Sequence, residues 1–265
     1  MPMKRLILII AMLGAAVGAS AQYKTVKDLS YVTEGDAYRT ERCKLDVYYP
    51  EAVKDAPVVV WFHGGGLTGG NRFIPAQLKE SGLVVIAVNY RLMPKATNED
   101  CIDDAAAAVA WTLANAQKYN GSPAKVYVSG HSAGGYLADM IGLDKKWLAK
   151  YGVDADCLAG LAPFSGQVLT HFNRRAQMGI SPLQPVIDEL APLTYVRGDC
   201  PPMLIISGDR EKELYGRYEE QAYFWRMLKL CGLKEVYLYE MQGYGHGNMP
   251  DPAYKILKDF IAGKL

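Results

Sequence analysis

The tract Gly130-His131-Ser132-Ala133-Gly134-Gly135 sets a serine between glycines in G-x-S-x-G spacing, directly after a short apolar run. A serine on a tight strand-to-helix turn needs small neighbours, because its backbone is strained and its hydroxyl must stand clear of the sheet. With nine serines and 26 glycines in 265 residues, chance gives this pattern about a tenth of a time per chain. Context therefore decides between a nucleophile and a capping serine in a glycine-rich turn. A helix beginning at Ala133 would aim its first N–H groups at a developing anion, which favours the nucleophile.

Upstream, the run Val58–Phe62 leads into His63-Gly64-Gly65-Gly66, a combination that chance supplies far more rarely. Acyl transfer creates an oxyanion, and N–H groups free of side-chain bulk approach it closely, each worth about 3 kcal/mol in the transition state. The N–H groups of Gly65, Gly66 and Ala133 are the predicted oxyanion hole. A phosphate cradle is the competing reading, but no G-K-[ST] or G-x-G-x-x-G accompanies the run.

A serine hydroxyl is a weak nucleophile at neutral pH, so a base must take its proton. An imidazole, with an ordinary pKa near 6.5, suits that task. Of four histidines, His63 is expected to brace the glycine loop, and His131 should project away from its neighbour Ser132. His171 lies in an irregular stretch where it could touch substrate. His246, in Gly243-Tyr244-Gly245-His246-Gly247, follows the last strand and precedes the C-terminal helix, where the order Ser, acid, His puts the base. A carboxylate must then fix the imidazole tautomer. Gly208-Asp209-Arg210-Glu211 offers Asp209 and Glu211 at the end of a strand, with Glu213 close by.

These residues need a scaffold, and the chain supplies short β-rich runs alternating with longer helical patterns. That alternation signals an α/β fold with a mostly parallel sheet covered on both faces. Strands are predicted at Lys44–Tyr49, Val58–Phe62, Leu83–Asn89, Lys125–Ser129, Leu158–Pro163, Met203–Ser207 and Glu235–Glu240. The clearest helix is Asp103–Tyr119, closed by Asn120-Gly121, and others begin near Ala133, Arg217 and Ala253. Between Gly166 and Pro202 the alternation lapses, and four prolines stand with His171, Arg174 and Arg175. Residues 167–202 are read as an insert, either a lid over a substrate pocket or an exposed surface loop.

Residues 1–21 carry the parts of a secretory signal: Lys4 and Arg5, the apolar stretch from Leu6 to Ala16, and Ala19-Ser20-Ala21. The stretch is shorter than the roughly 20 residues of a membrane span, so export to a periplasm or the exterior is expected, with the working domain at 22–265. Lys plus Arg number 29 and Asp plus Glu 28, which gives no electrostatic reason to expect nucleic acid as a partner. The five cysteines are scattered singly, without metal-ligand spacing, so no metal and no cofactor are expected. Most of the eighteen tyrosines and the Phe224-Trp225 pair are read as core packing.

The two glycine motifs, in this order, resemble those of the α/β-hydrolase fold and its H-G-G-G esterases and lipases related to hormone-sensitive lipase. Asn89-Tyr90-Arg91-Leu92 is similar to that family's D-Y-R-L segment, with Asn for Asp. The long N-terminal cap helices of that family are missing, and the compact form looks more like feruloyl and acetyl-xylan esterases. The resemblance places the acid three positions after Gly208, at Glu211, leaving Asp209 as the alternative. It implies a serine esterase using Ser132, His246 and Glu211, acting on a small-molecule or carbohydrate ester without stable membrane insertion. An exopeptidase-like hydrolase, binding a peptide terminus near Arg174 and Arg175, and a non-catalytic binding protein on the same fold are the alternatives.

Overall fold

The computed structural model describes residues 22–265, so the signal-like segment lies outside the described residues. In chain order the elements are β1 (Tyr23–Ser30), α1 (Ala37–Arg42), β2 (Lys44–Pro50), β3 (Ala56–Phe62), β4 (Val84–Val88), α2 (Asn98–Asn115) and β5 (Gly121–His131). There follow α3 (Ala133–Leu143), α4 (Lys146–Ala149), β6 (Gly160–Phe164), α5 (Phe172–Gln177), β7 (Met203–Gly208), α6 (Arg217–Leu230), β8 (Val236–Met241) and α7 (Pro250–Ile261). The eight strands form one sheet in the order β1-β2-β4-β3-β5-β6-β7-β8. Pairing is parallel from β4 to β8 and antiparallel where β2 meets β1 and β4.

The alternation along β3 shows why the sheet needs two covers. Val58, Val60 and Phe62 point into one apolar cluster, Val59 and Trp61 into another, and all five are buried. A strand buried on both faces reads as a continuous apolar run, as β3 and β4 do. Helices α2, α3 and α6 supply residues to the first cluster. Helix α7 covers the second with Ala253, Tyr254, Leu257 and Phe260 along one stripe.

All seven predicted strands form, with ends shifted by at most a few residues. The sequence reading missed β1. Its eight residues, YKTVKDLS, are largely exposed on the sheet edge, its register slips between Val26 and Leu29, and Asp28 has φ 59°. Such a strand carries neither alternation nor an apolar run. The helix predicted from Asp103 begins earlier, at Asn98. Thr97 caps it, accepting from Asp100 N at 3.1 Å while the Asp100 carboxylate accepts from Thr97 N at 2.9 Å.

Within α2, Asp104 is fully buried and joins the helix to the loop after β4. It accepts from Arg91 through Nε at 2.8 Å, Nη2 at 3.0 Å and the backbone N–H at 3.0 Å, and from Arg39 Nε at 3.0 Å. Removing the carboxylate strands a buried guanidinium, which costs more than the pair itself gains. Asp104→Ala is expected to lower stability by about 3–5 kcal/mol in urea unfolding. Asp103→Ala, which breaks more exposed pairs to Arg39 and Lys150, is expected to cost about 1 kcal/mol or less. Equal losses would show that burial does not set the difference.

Candidate active site

The parallel strands end along one edge of the sheet, and the loops leaving β3, β5, β7 and β8 gather there. Ser132 sits on the elbow between β5 and α3, with φ 56° and ψ −115°. Its N–H donates to the Phe164 carbonyl at the end of β6, 2.8 Å away. The elbow lies hard against β3: a Cβ at Gly134 would stand 2.1 Å from the Phe62 carbonyl oxygen, and one at Gly130 2.6 Å from the same atom. The spacing of glycines around the serine is therefore a demand of backbone contact.

His246 lies in the loop between β8 and α7. Its Nε2 is 2.9 Å from Ser132 Oγ and its Nδ1 is 2.8 Å from Glu213 Oε2. A carboxylate at Nδ1 fixes the proton there and leaves Nε2 as the acceptor for the serine hydroxyl. The acid is Glu213, which corrects the sequence prediction of Glu211. After β7 the chain makes a helical turn in which Lys212 N and Glu213 N both donate to Asp209 O, at 2.8 and 2.9 Å. That turn sends Glu211 outward into solvent and carries Glu213 back under the strand end, where its side chain is 1 % exposed. Four donors converge on it: His246 Nδ1, Gly208 N at 2.9 Å, Leu214 N at 3.1 Å and the Ser165 hydroxyl. Burial alone would raise its carboxyl, but the hydrogen bonds from His246 and Ser165 prevail and hold it at about 2.

Asp209, the alternative acid, does not reach His246. Its two oxygens accept from Glu211 N at 2.9 Å and Gly243 N at 2.7 Å, and these bonds lower its carboxyl below the usual range. It thereby ties the turn that carries the acid to the loop that carries the base. His131 has a part that the sequence reading did not assign. Its ring packs against that of His246 with centroids 4.8 Å apart, and its Nε2 is 2.8 Å from the His246 carbonyl oxygen, to which it donates.

The loop after β3 stands beside the serine: a Cβ at Gly64 would lie 3.4 Å from Ser132 Cβ. Gly65, with φ 110°, closes the loop by accepting at its carbonyl from Thr68 N and Gly69 N, each at 3.0 Å. The N–H groups of Gly65, Gly66 and Ala133 donate to no acceptor among the described residues. His63 braces the loop, as its residue type suggested, with Nδ1 2.6 Å from Gly64 O and its ring stacked on Tyr90 at 4.4 Å. The Tyr90 hydroxyl in turn donates to His63 O at 2.8 Å, which gives the Asn89–Leu92 segment its structural purpose. His171, read as a possible substrate contact, is instead buried against Tyr136 and Phe172, and its Nδ1 caps α5 through Asn173 N at 3.3 Å.

The sheet order and the elbow are those of the α/β-hydrolase fold. Residues 45–168 match the BD-FAE family model. The chain is 28 % identical over 217 residues to the protein named Esterase LipC of Mycobacterium tuberculosis, covering 73 % of this chain and 53 % of LipC. The Carboxylesterase NlhH of the same organism is 40 % identical over 101 residues, 36 % of this chain and 32 % of NlhH. The chain thus spans about half the length of LipC. Among solved structures, a truncated carbohydrate esterase from gut microbiota superposes with a TM-score of 0.74 at 19 % identity, covering 92 % of this chain and 97 % of that one.

Two measurements check this geometry. Glu213→Gln is expected to lower kcat about 10³- to 10⁴-fold, because an amide no longer fixes the tautomer, whereas Glu211→Gln is expected to stay within about twofold of the parent. The reverse ranking would restore Glu211 as the acid. Burial first of all lowers His63 and His131 to about 4 and His171 to about 3, with Arg42 adding to the shift at His63, the neighbouring His246 at His131, and Arg217 and Arg175 at His171. Each binds a proton on unfolding between its folded value and 6.5, so stability falls as pH drops below 6.5, by at most about 4 kcal/mol per pH unit. Urea titrations from pH 7 to 4.5 should show this slope, reduced by about a third in His171→Leu. Burial raises the carboxyls of Asp139 and Glu220 and so opposes this slope, and the difference between parent and His171→Leu carries the test: identical slopes in the two would refute the neutral burial of His171.

Proposed function

We propose that this chain is an exported serine esterase that cleaves carboxylic esters through an acyl-enzyme. The observation that carries the reading is the unbroken relay from Ser132 Oγ through His246 to Glu213, at 2.9 and 2.8 Å. His246 Nε2 takes the serine proton as Oγ attacks the ester carbonyl, and Glu213 stabilises the imidazolium. The N–H groups of Gly65, Gly66 and Ala133 receive the oxyanion. As the tetrahedral adduct collapses, His246 gives the proton to the leaving alcohol. The acyl group stays on Ser132 until a water, deprotonated by His246, attacks it. Product acid then leaves and the serine recovers its proton.

The names of LipC and NlhH support ester chemistry. An acylated carbohydrate is the substrate class that the likeness to the gut carbohydrate esterase favours. The signal-like pattern of residues 1–21 supports export.

Hydrolysis of 4-nitrophenyl acetate and of acetylated and feruloylated sugars is expected from protein recovered outside the cytoplasm, with its N-terminus at Gln22. Ser132→Ala is expected to lower kcat by about 10⁴-fold or more. An intact protein that turns over no ester, or a Ser132→Ala variant that remains active, would overturn the reading.

A further inference from the structure

The insert of residues 167–202 is built into the molecule beside the relay, and together with the acid loop it encloses a cavity of about 420 Å³. Phe172, Arg175 and Leu183 line it from the insert, and Leu214, Arg217 and Glu220 from the other side. The walls are shared with the catalytic loops, although Ser132 and His246 are not themselves in the lining. A Cβ at Gly66 would meet Phe172 Cζ at 2.9 Å, and the Asn173 amide donates to the Gly66 carbonyl. Leu214 directly follows Glu213.

Charge inside this cavity is unbalanced. Arg217 is matched by Glu220, with Nε 2.6 Å from Oε1, and donates to Ser165 O. Arg175 has no such match. It is 4 % exposed, its Nη1 donates to Gln184 O at 2.6 Å, and its Nε has no hydrogen-bond partner. Among the described residues no carboxylate oxygen lies within 4 Å of it. A guanidinium taken out of water with its Nε unfilled is costly, and its planar set of donors suits a carboxylate.

We propose that this cavity binds a carboxylate carried by the substrate itself, received by Arg175, with Phe172, Leu183 and Leu214 enclosing the carbon skeleton between that carboxylate and the ester. The preferred substrates are therefore anionic esters. This rests on the esterase reading above and extends it to a substrate class. The carboxylate can belong to the acyl group or to the alcohol, and matched substrates separate the two.

The test compares kcat/KM for mono-4-nitrophenyl glutarate against 4-nitrophenyl butyrate, and for 4-acetoxybenzoate against methyl 4-acetoxybenzoate. In one pair the parent protein is expected to favour the charged ester, and Arg175→Met is expected to shrink that ratio on the order of tenfold to a hundredfold. Arg175→Lys, which keeps the charge, should retain part of it, and this distinguishes lost recognition from a disturbed insert. A ratio that Arg175→Met leaves unchanged in both pairs, or neutral esters preferred in both, would overturn the proposal while leaving the esterase intact. Calorimetry on Ser132→Ala needs no turnover. Binding of glutarate or benzoate there that disappears in Ser132→Ala/Arg175→Met supports the carboxylate site even if no ester is cleaved. Absence of binding together with absence of a charged-ester preference refutes it.

Discussion

A Cβ at position 134 would lie 2.1 Å from the Phe62 carbonyl oxygen, and from that contact the arrangement of the site follows. The elbow presses so closely on β3 that the serine backbone is held at φ 56°, a conformation that an isolated serine avoids. The surrounding structure over-determines it: Ser132 N is bound to Phe164 O, and α3, buried along its whole length, continues from the turn. The same closeness brings the glycine loop after β3 alongside the serine. Nucleophile and oxyanion donors are thus consequences of one packing contact between the first turn of α3 and the end of β3.

Around that contact the molecule invests in uncharged histidines and paired acids. His63 and His171 are buried and His131 is half-buried, and all three are held well below the ordinary imidazole range, so each serves as a fixed hydrogen-bonding plate. His246 differs in being partly exposed and in facing a carboxylate on one side and a hydroxyl on the other. Chemistry is thereby concentrated on one of four similar side chains by what surrounds it.

Much of this was legible in the sequence, and the exceptions have physical causes. The apolar runs of β3, β4 and β7 announced themselves because a strand covered on both faces can contain little else. Ser132, His246 and the glycine runs were legible because their local residue types are nearly dictated by backbone contact and chain order. Strand β1 was not, since an edge strand with polar residues carries no period. Nor was the acid. Which of Asp209, Glu211 and Glu213 turns inward depends on the helical twist of the turn after β7, closed by two bonds to Asp209 O. The separation of four residues between Asp209 and Glu213 was the available signal, because one helical turn returns the chain to the side it left. His131 depends on its contact with the His246 carbonyl, 115 residues further along the chain, and no local pattern reveals that.

The Asp209 carboxylate joins the turn that presents the acid to Gly243, at the root of the loop that presents the base. Asp209 N closes the same joint from the other side by donating to Tyr244 O at 2.7 Å. The two loops are therefore a single mechanical part hung from neighbouring strands β7 and β8. Thermal breathing of the sheet edge displaces acid and base together and leaves the spacing between them intact. The corollary concerns how such a site can change over generations or at the bench: neither loop can be exchanged alone without breaking the joint, so they travel as one cassette. The serine elbow, anchored to β3 and β6, meets that cassette through His131, whose Nε2 donates to the His246 carbonyl oxygen.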